Sequence, residues 1–178
     1  MERVPTPDPI AEAAEYQRYL TGLLGDDDPA EVQAGAPDAW RALVLEAGAR
    51  VSERPEPGEW SVLECLGHAT DSELVVSSRY RWIVAHDEPP LVGYDQDLWV
   101  DRLHHGQDDP DALLETFEAL RRANLAMWAR STEGERARVG QHSERGPESY
   151  DLTFRLQSGH DRFHLDQARR ALAAVRGA

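Results

Sequence analysis

The sequence predicts an all-α fold, a four-helix bundle with short extra helices, on three observations. Apolar residues recur at helical spacing over several long stretches. Proline and glycine fall mostly between those stretches, where they punctuate the chain. No stretch alternates convincingly at the two-residue period of a half-buried strand. Bundles of this kind place ligand and metal sites between facing helices.

The first helix is expected over Pro9–Leu24, with Ile10, Ala13, Gln17, Leu20 and Leu24 near one face; it ends at Gly25 and the acidic run Asp26–Asp28. A second is expected over Pro37–Val51, with Pro37 as its first-turn proline. The segment ERPEPGEW then breaks the chain. The third helix has the clearest start. Ser61 and Glu64 form a capping box, with Trp60 placed to staple onto Cys65. Its stripe of Val62, Leu66, Ala69, Val76, Tyr80 and Ile83 carries it to about His86, and Pro89-Pro90 stop it. A short helix is expected near Asp95–Leu103. The fourth long helix runs from Asp109-Pro110 to about Ser131, and residues 132–148 read as an irregular connection. The last helix runs from Ser149, a plausible cap, to about Val175.

Composition excludes several functions. The 178 residues suffice for one domain, expected to span 1–178. The formal net charge of -14 repels phosphate backbones, so no nucleic-acid binding is expected. All 19 basic residues are arginine, so no lysine can form a Schiff base. No apolar run reaches the length of a membrane span, and MERVPTPDPI has neither the basic nor the apolar region of a secretory signal. With Cys65 the only cysteine, no intrachain disulfide is possible, and a cytoplasmic location is expected.

The histidines carry the chemistry. In SGHDRFHLDQ, His160 and His164 are one turn apart, separated by about 40° around the helix, with small and apolar residues on the same side. Such a pair is a natural clamp for a borderline metal, though common on ordinary helices. The segment is a poor match to the zincin motif, because Asp161 stands where a general-base Glu belongs. A diiron site of the ferritin type needs Glu-x-x-His, which occurs nowhere in the chain. His68, at the rim of the third helix's apolar stripe, is a third donor that could complete an open three-histidine site. Glu73 lies in the same stripe and requires a partner such as Arg121 or Arg122. Asp71 and Asp161 are candidates to hydrogen-bond a ligand imidazole. Tyr94, Asp95 and Trp99 are weaker candidates for a pocket wall. His142 reads as a surface loop residue, with an approach to the bundle mouth as the alternative, and His104-His105 point in different directions.

Three strings carry a family resemblance: RPEPGEWSVLECLGHATDSE, RYRWIVAHDEPPLVGYDQDLWV and HSERGPESYDLTFRLQSGHDRFHLDQ. Together they resemble the DinB-like superfamily of damage-inducible, YfiT-like proteins, over roughly residues 9–175. The resemblance implies a four-helix bundle with a divalent metal (zinc, nickel, iron or manganese) held by three histidines, here His68, His160 and His164. It also implies metal-dependent chemistry on a small-molecule substrate, either hydrolysis or S-transfer using a low-molecular-weight thiol as cosubstrate. The alternative is a non-catalytic bundle that binds a metal or small ligand during stress, as a homodimer in one version. A triad formed but empty, its histidines hydrogen-bonded, is a third reading.

Overall fold

The computed structural model describes residue 7 and residues 11–177. Four helices form the bundle: α2 (Pro29–Ala47), α3 (Val62–Ala85), α5 (Pro110–Arg130) and α7 (Tyr150–Gly177). Helix α3 packs on α5 and α7, and α2 closes the other side against the same two helices. Helix α1 (Ala13–Leu24) lies along α7; α4 (Gln96–Arg102) and α6 (Glu133–Arg136) are short. One buried cluster joins Trp40, Trp60, Leu66, Phe117 and Leu172; a second joins Tyr80, Trp128, Tyr150 and Phe154 at the other end.

Most helix boundaries follow local signals. Ser61 and Glu64 form both bonds of the predicted capping box. Asp95 caps α4, Asp109 caps α5, and Ser149 Oγ accepts from the Leu152 N–H. Trp60 and Cys65 lie in one buried cluster. The first helix begins at Ala13 among the described residues; positions 9 and 10 of the expected helix lie outside them.

Two expectations are corrected. The second helix does not start at Pro37. It starts at Pro29, where Asp28 accepts from the N–H groups of Ala30 and Glu31, and runs through Pro37 to Ala47. The buried stripe of Gln33, Ala36, Trp40, Leu43 and Ala47 continues across the proline, so packing outweighs the missing N–H. The chain also contains a small sheet. Strand β1 (Pro90–Leu91) pairs in parallel with β2 (Val139–His142), which pairs antiparallel with β3 (Gly146–Ser149). Two to four residues are too few to reveal a two-residue period. The β2–β3 turn returns through Gly146, whose φ of 77° suits glycine. Among the described residues, no helix is long and apolar enough to cross a membrane.

Candidate metal centre

Helix α3 presents His68 and helix α7 presents His160 and His164. One ring nitrogen from each lies within 4.8 Å of the others. His68 Nε2 and His160 Nε2 are 3.0 Å apart. Three imidazoles from two well-packed helices therefore converge on one point, and all three are buried.

Burial decides their protonation. Desolvation drives the His68 and His160 pKa values well below the usual histidine range, and neighbouring imidazoles push the same way. His164 is pushed down to about 4, again by desolvation. All three are thus neutral near pH 7, the state in which an imidazole offers a lone pair. His164 Nδ1 lies 2.9 Å from Gln167 Oε1. Since a carbonyl oxygen only accepts, Nδ1 carries the proton and Nε2 is left free. Trp60, just before α3, stacks on His164 (5.9 Å, 18°) and tilts against His68 at 5.1 Å. Its large apolar face shields two of the rings; the sequence marked Trp60 as a staple and as part of the string resembling the family, not as a neighbour of the histidines.

The donor set suits a divalent metal: three neutral imidazole nitrogens within 4.8 Å of one another are the ligand type that borderline ions take. His68 and His160 bond each other through Nε2, while their Nδ1 atoms are buried without partners; of the three rings, His164 alone among the described residues has a hydrogen bond to a side chain outside the cluster.

The two candidate carboxylates, Asp71 and Asp161, bond other groups. Asp161 does not touch a ligand imidazole; it accepts two bonds from Arg121. Arg121 also bonds Glu73, so the partner expected for Glu73 is Arg121. Asp71 bonds His105 Nε2 at 2.7 Å, and Asp108 bonds His105 Nδ1 at 2.6 Å. Those carboxylates, Asp71 first, raise the His105 pKa. The His105 ring lies over Gly67, one residue before His68: a Cβ there would meet His105 Cγ at 2.5 Å. His142 is not a surface residue. It is buried on β2, where its Nδ1 accepts from the N–H groups of Glu144 and Arg145. Short strands hid its burial, because four residues carry too little of a two-residue period to mark β2.

A cavity of ≈ 300 Å³ opens on the centre, and His68 and His160 form part of its wall. Leu20, Val76 and Leu156 supply apolar surface; Ser72, Arg79 and Gln157 supply polar groups. Tyr94 and Asp95, expected near a pocket, do line it; Trp99 instead backs Tyr94, with ring centroids 4.4 Å apart.

Known proteins share this arrangement of helices. YfiT from Bacillus subtilis, described as "a probable metal-dependent hydrolase with an unusual four-helix bundle topology", superposes with a TM-score of 0.75. The alignment covers 99% of this chain and 93% of that one at 17% sequence identity, a likeness of fold. No sequence among the curated proteins matches the chain. The family model of the DinB superfamily matches residues 34–168, from within α2 through the histidine pair of α7. With a match of that extent over a four-helix bundle, the chain belongs to the DinB superfamily.

Proposed function

We propose that this chain is a divalent-metal-dependent enzyme, with His68, His160 and His164 as ligands and a small molecule in the adjoining cavity as substrate. The observation that carries the reading is the convergence of three buried, neutral imidazoles at the wall of a cavity. The description of YfiT, a neighbour in fold, as "a probable metal-dependent hydrolase" supports the same class. A bound divalent ion would polarise an electrophile and lower the pKa of a water or thiol.

The chain's own residues narrow the chemistry. Glu73 and Asp161 are held by Arg121, so neither is free to serve as a general base. A nucleophile activated at the metal needs no such carboxylate, which suits hydrolysis or thiol transfer. The thiol cannot be Cys65: it is wholly buried, and burial pushes its pKa far up. In the transfer reaction a low-molecular-weight thiol must therefore come from solution.

The test uses untagged protein. Stoichiometric uptake of zinc, nickel or manganese, measured by elemental analysis, is expected for the wild type and lost in His68→Ala and His160→Ala. No uptake by the wild type sinks the metal reading. With metal bound, turnover in a panel of thiol–electrophile pairs or hydrolase substrates is expected; silence in both panels returns the chain to a binding role.

A further inference from the structure

Arg79 stands on the stripe of α3 that lines the cavity. His68, Ser72, Val76 and Arg79 follow at helical spacing, and all four belong to its wall. Arg79 is 5% exposed. Among the described residues its single hydrogen bond runs from Nη2 to the Val92 carbonyl, at 2.6 Å, and it forms no ion pair. Its Nε is buried without a partner.

Arg121 shows how this fold treats a buried guanidinium that serves structure alone. It is 1% exposed and carries two carboxylates, Glu73 at 2.7 Å and Asp161 at 2.5 Å. Arg79 has neither. Glu148, the carboxylate that acts on its charge, is taken by Arg145 at 2.6 Å and by Gln17 at 2.9 Å. Asp95, Asp97 and Glu144 also line the cavity, but they are exposed residues, and none pairs with Arg79. Burial and repulsion from Arg145 press the Arg79 pKa down, as expected of a cation short of a counter-charge. A buried cation normally has a partner. Here the remaining open side is the cavity.

We propose that Arg79 recognises an anionic group, a carboxylate or a phosphate, at the end of the bound molecule remote from the three imidazoles. This deepens the enzyme reading above and rests on it for what happens at the metal end. Eleven residues of helix rise about 16 Å, and an arginine leans back toward the N-terminus of its helix. The guanidinium and the imidazoles are then on the order of 10 Å apart. The substrate class is an elongated small acid, with its body against Leu20, Val76 and Leu156 and its reacting end over the histidines.

The test is ligand-observed NMR on the full chain after EDTA treatment, so that no metal can capture the anion. The probes are 4-phenylbutyrate and 3-phenylpropyl phosphate, each against its neutral analogue, 4-phenylbutyramide and 3-phenylpropanol. At least one anion is expected to bind tenfold or more tightly than its neutral analogue, and the stronger anion identifies the headgroup. That preference should vanish in Arg79→Gln and survive in Arg79→Lys. Equal binding of both anions and their neutral analogues by the wild type overturns the proposal, as does a preference that persists in folded Arg79→Gln. A buried arginine Nε–H resonance of the wild type supplies a variant-free readout: it should move with the preferred anion and not with its neutral analogue. Metal uptake, measured separately on both proteins, should be equal. No metal uptake by the wild type with the anion preference intact defeats the enzyme reading alone.

Discussion

Pro37 leaves the carbonyl of Gln33 without its helical donor, and Arg121 supplies one from α5, with Nη1 3.0 Å from the Gln33 oxygen. The same guanidinium pairs with Glu73 of α3 and Asp161 of α7. One buried side chain thus ties all four bundle helices. Removing it strands two buried carboxylates and a carbonyl. Arg121→Met should cost about 3–5 kcal/mol in urea unfolding at pH 7. The triple variant Arg121→Met, Glu73→Gln, Asp161→Asn should recover much of that loss, because no charge is left unpaired. A single variant within about 1 kcal/mol of wild type would show that this network does not hold the bundle.

The network also shows where sequence reasoning stops. The bundle, the capping box at Ser61 and the three histidines were legible because each depends on local spacing or on motifs shared with a family. The need for a partner at Glu73 was legible too, since an acid in an apolar stripe must be paired. What was hidden depends on contacts distant along the chain. Pro37 sits inside a helix whose buried stripe continues past it, and α5 supplies the donor it removes. Trp60 reaches His164 across more than a hundred residues. The buried sites of His105 and His142 depend on a loop and a short sheet that have no periodic signature.

Three glycines separate packing from propensity. A Cβ on Gly159 would run into the backbone of Leu20, where α1 crosses α7 beside His160. A Cβ on Gly67 would meet the His105 ring, which two carboxylates hold in place. Neither neighbour can move cheaply. Gly159→Ala and Gly67→Ala should therefore each destabilise by about 1–3 kcal/mol, despite the gain in helix propensity. Gly22, exposed in α1 with nothing within 4 Å of a built Cβ, should show the opposite. Gly22→Ala is expected to stabilise by about 0.5–1 kcal/mol in the same denaturant titration. A stabilising Gly159→Ala would mean that α1 does not pack as closely as described.

Two histidines outside the cluster should shape opposite sides of the pH–stability profile. His142 is pushed down to about 4, chiefly by desolvation and then by Arg145 and Arg79. Its folded pKa lies below the unfolded value of about 6.5, so its stability contribution is full above 6.5 and is lost as pH falls toward 4. His105 is the reverse: Asp71 and Asp108 raise its pKa. Its contribution is full below about 6.5 and is lost as pH rises through the raised folded value. Thermal melts of metal-free protein from about pH 4 to 9 should show a shallower acid limb in His142→Gln. His105→Gln should flatten the alkaline limb instead. His68, His160 and His164 also titrate downward on folding, so the acid limb of His142→Gln should be reduced and not abolished.

Gln167 meets the cluster through its hydrogen bond to His164, which makes it a probe of how the third imidazole is set. Its Oε1 fixes the His164 proton on Nδ1 and points the Nε2 lone pair away from Gln167. The residue is only half-buried near the middle of α7, so Gln167→Leu should leave the melting temperature within a few degrees of wild type. Metal affinity should nevertheless fall by about 10–100-fold, because an unheld imidazole must be oriented and its tautomer selected when the ion binds. Gln167→Glu should keep or raise affinity, since a carboxylate accepts the same Nδ1 proton and makes Nε2 more basic. Competition against a chromogenic chelator reads both changes. Equal affinities for wild type and Gln167→Leu would mean that His164 is oriented by Trp60 and its neighbours on α7 without help from Gln167.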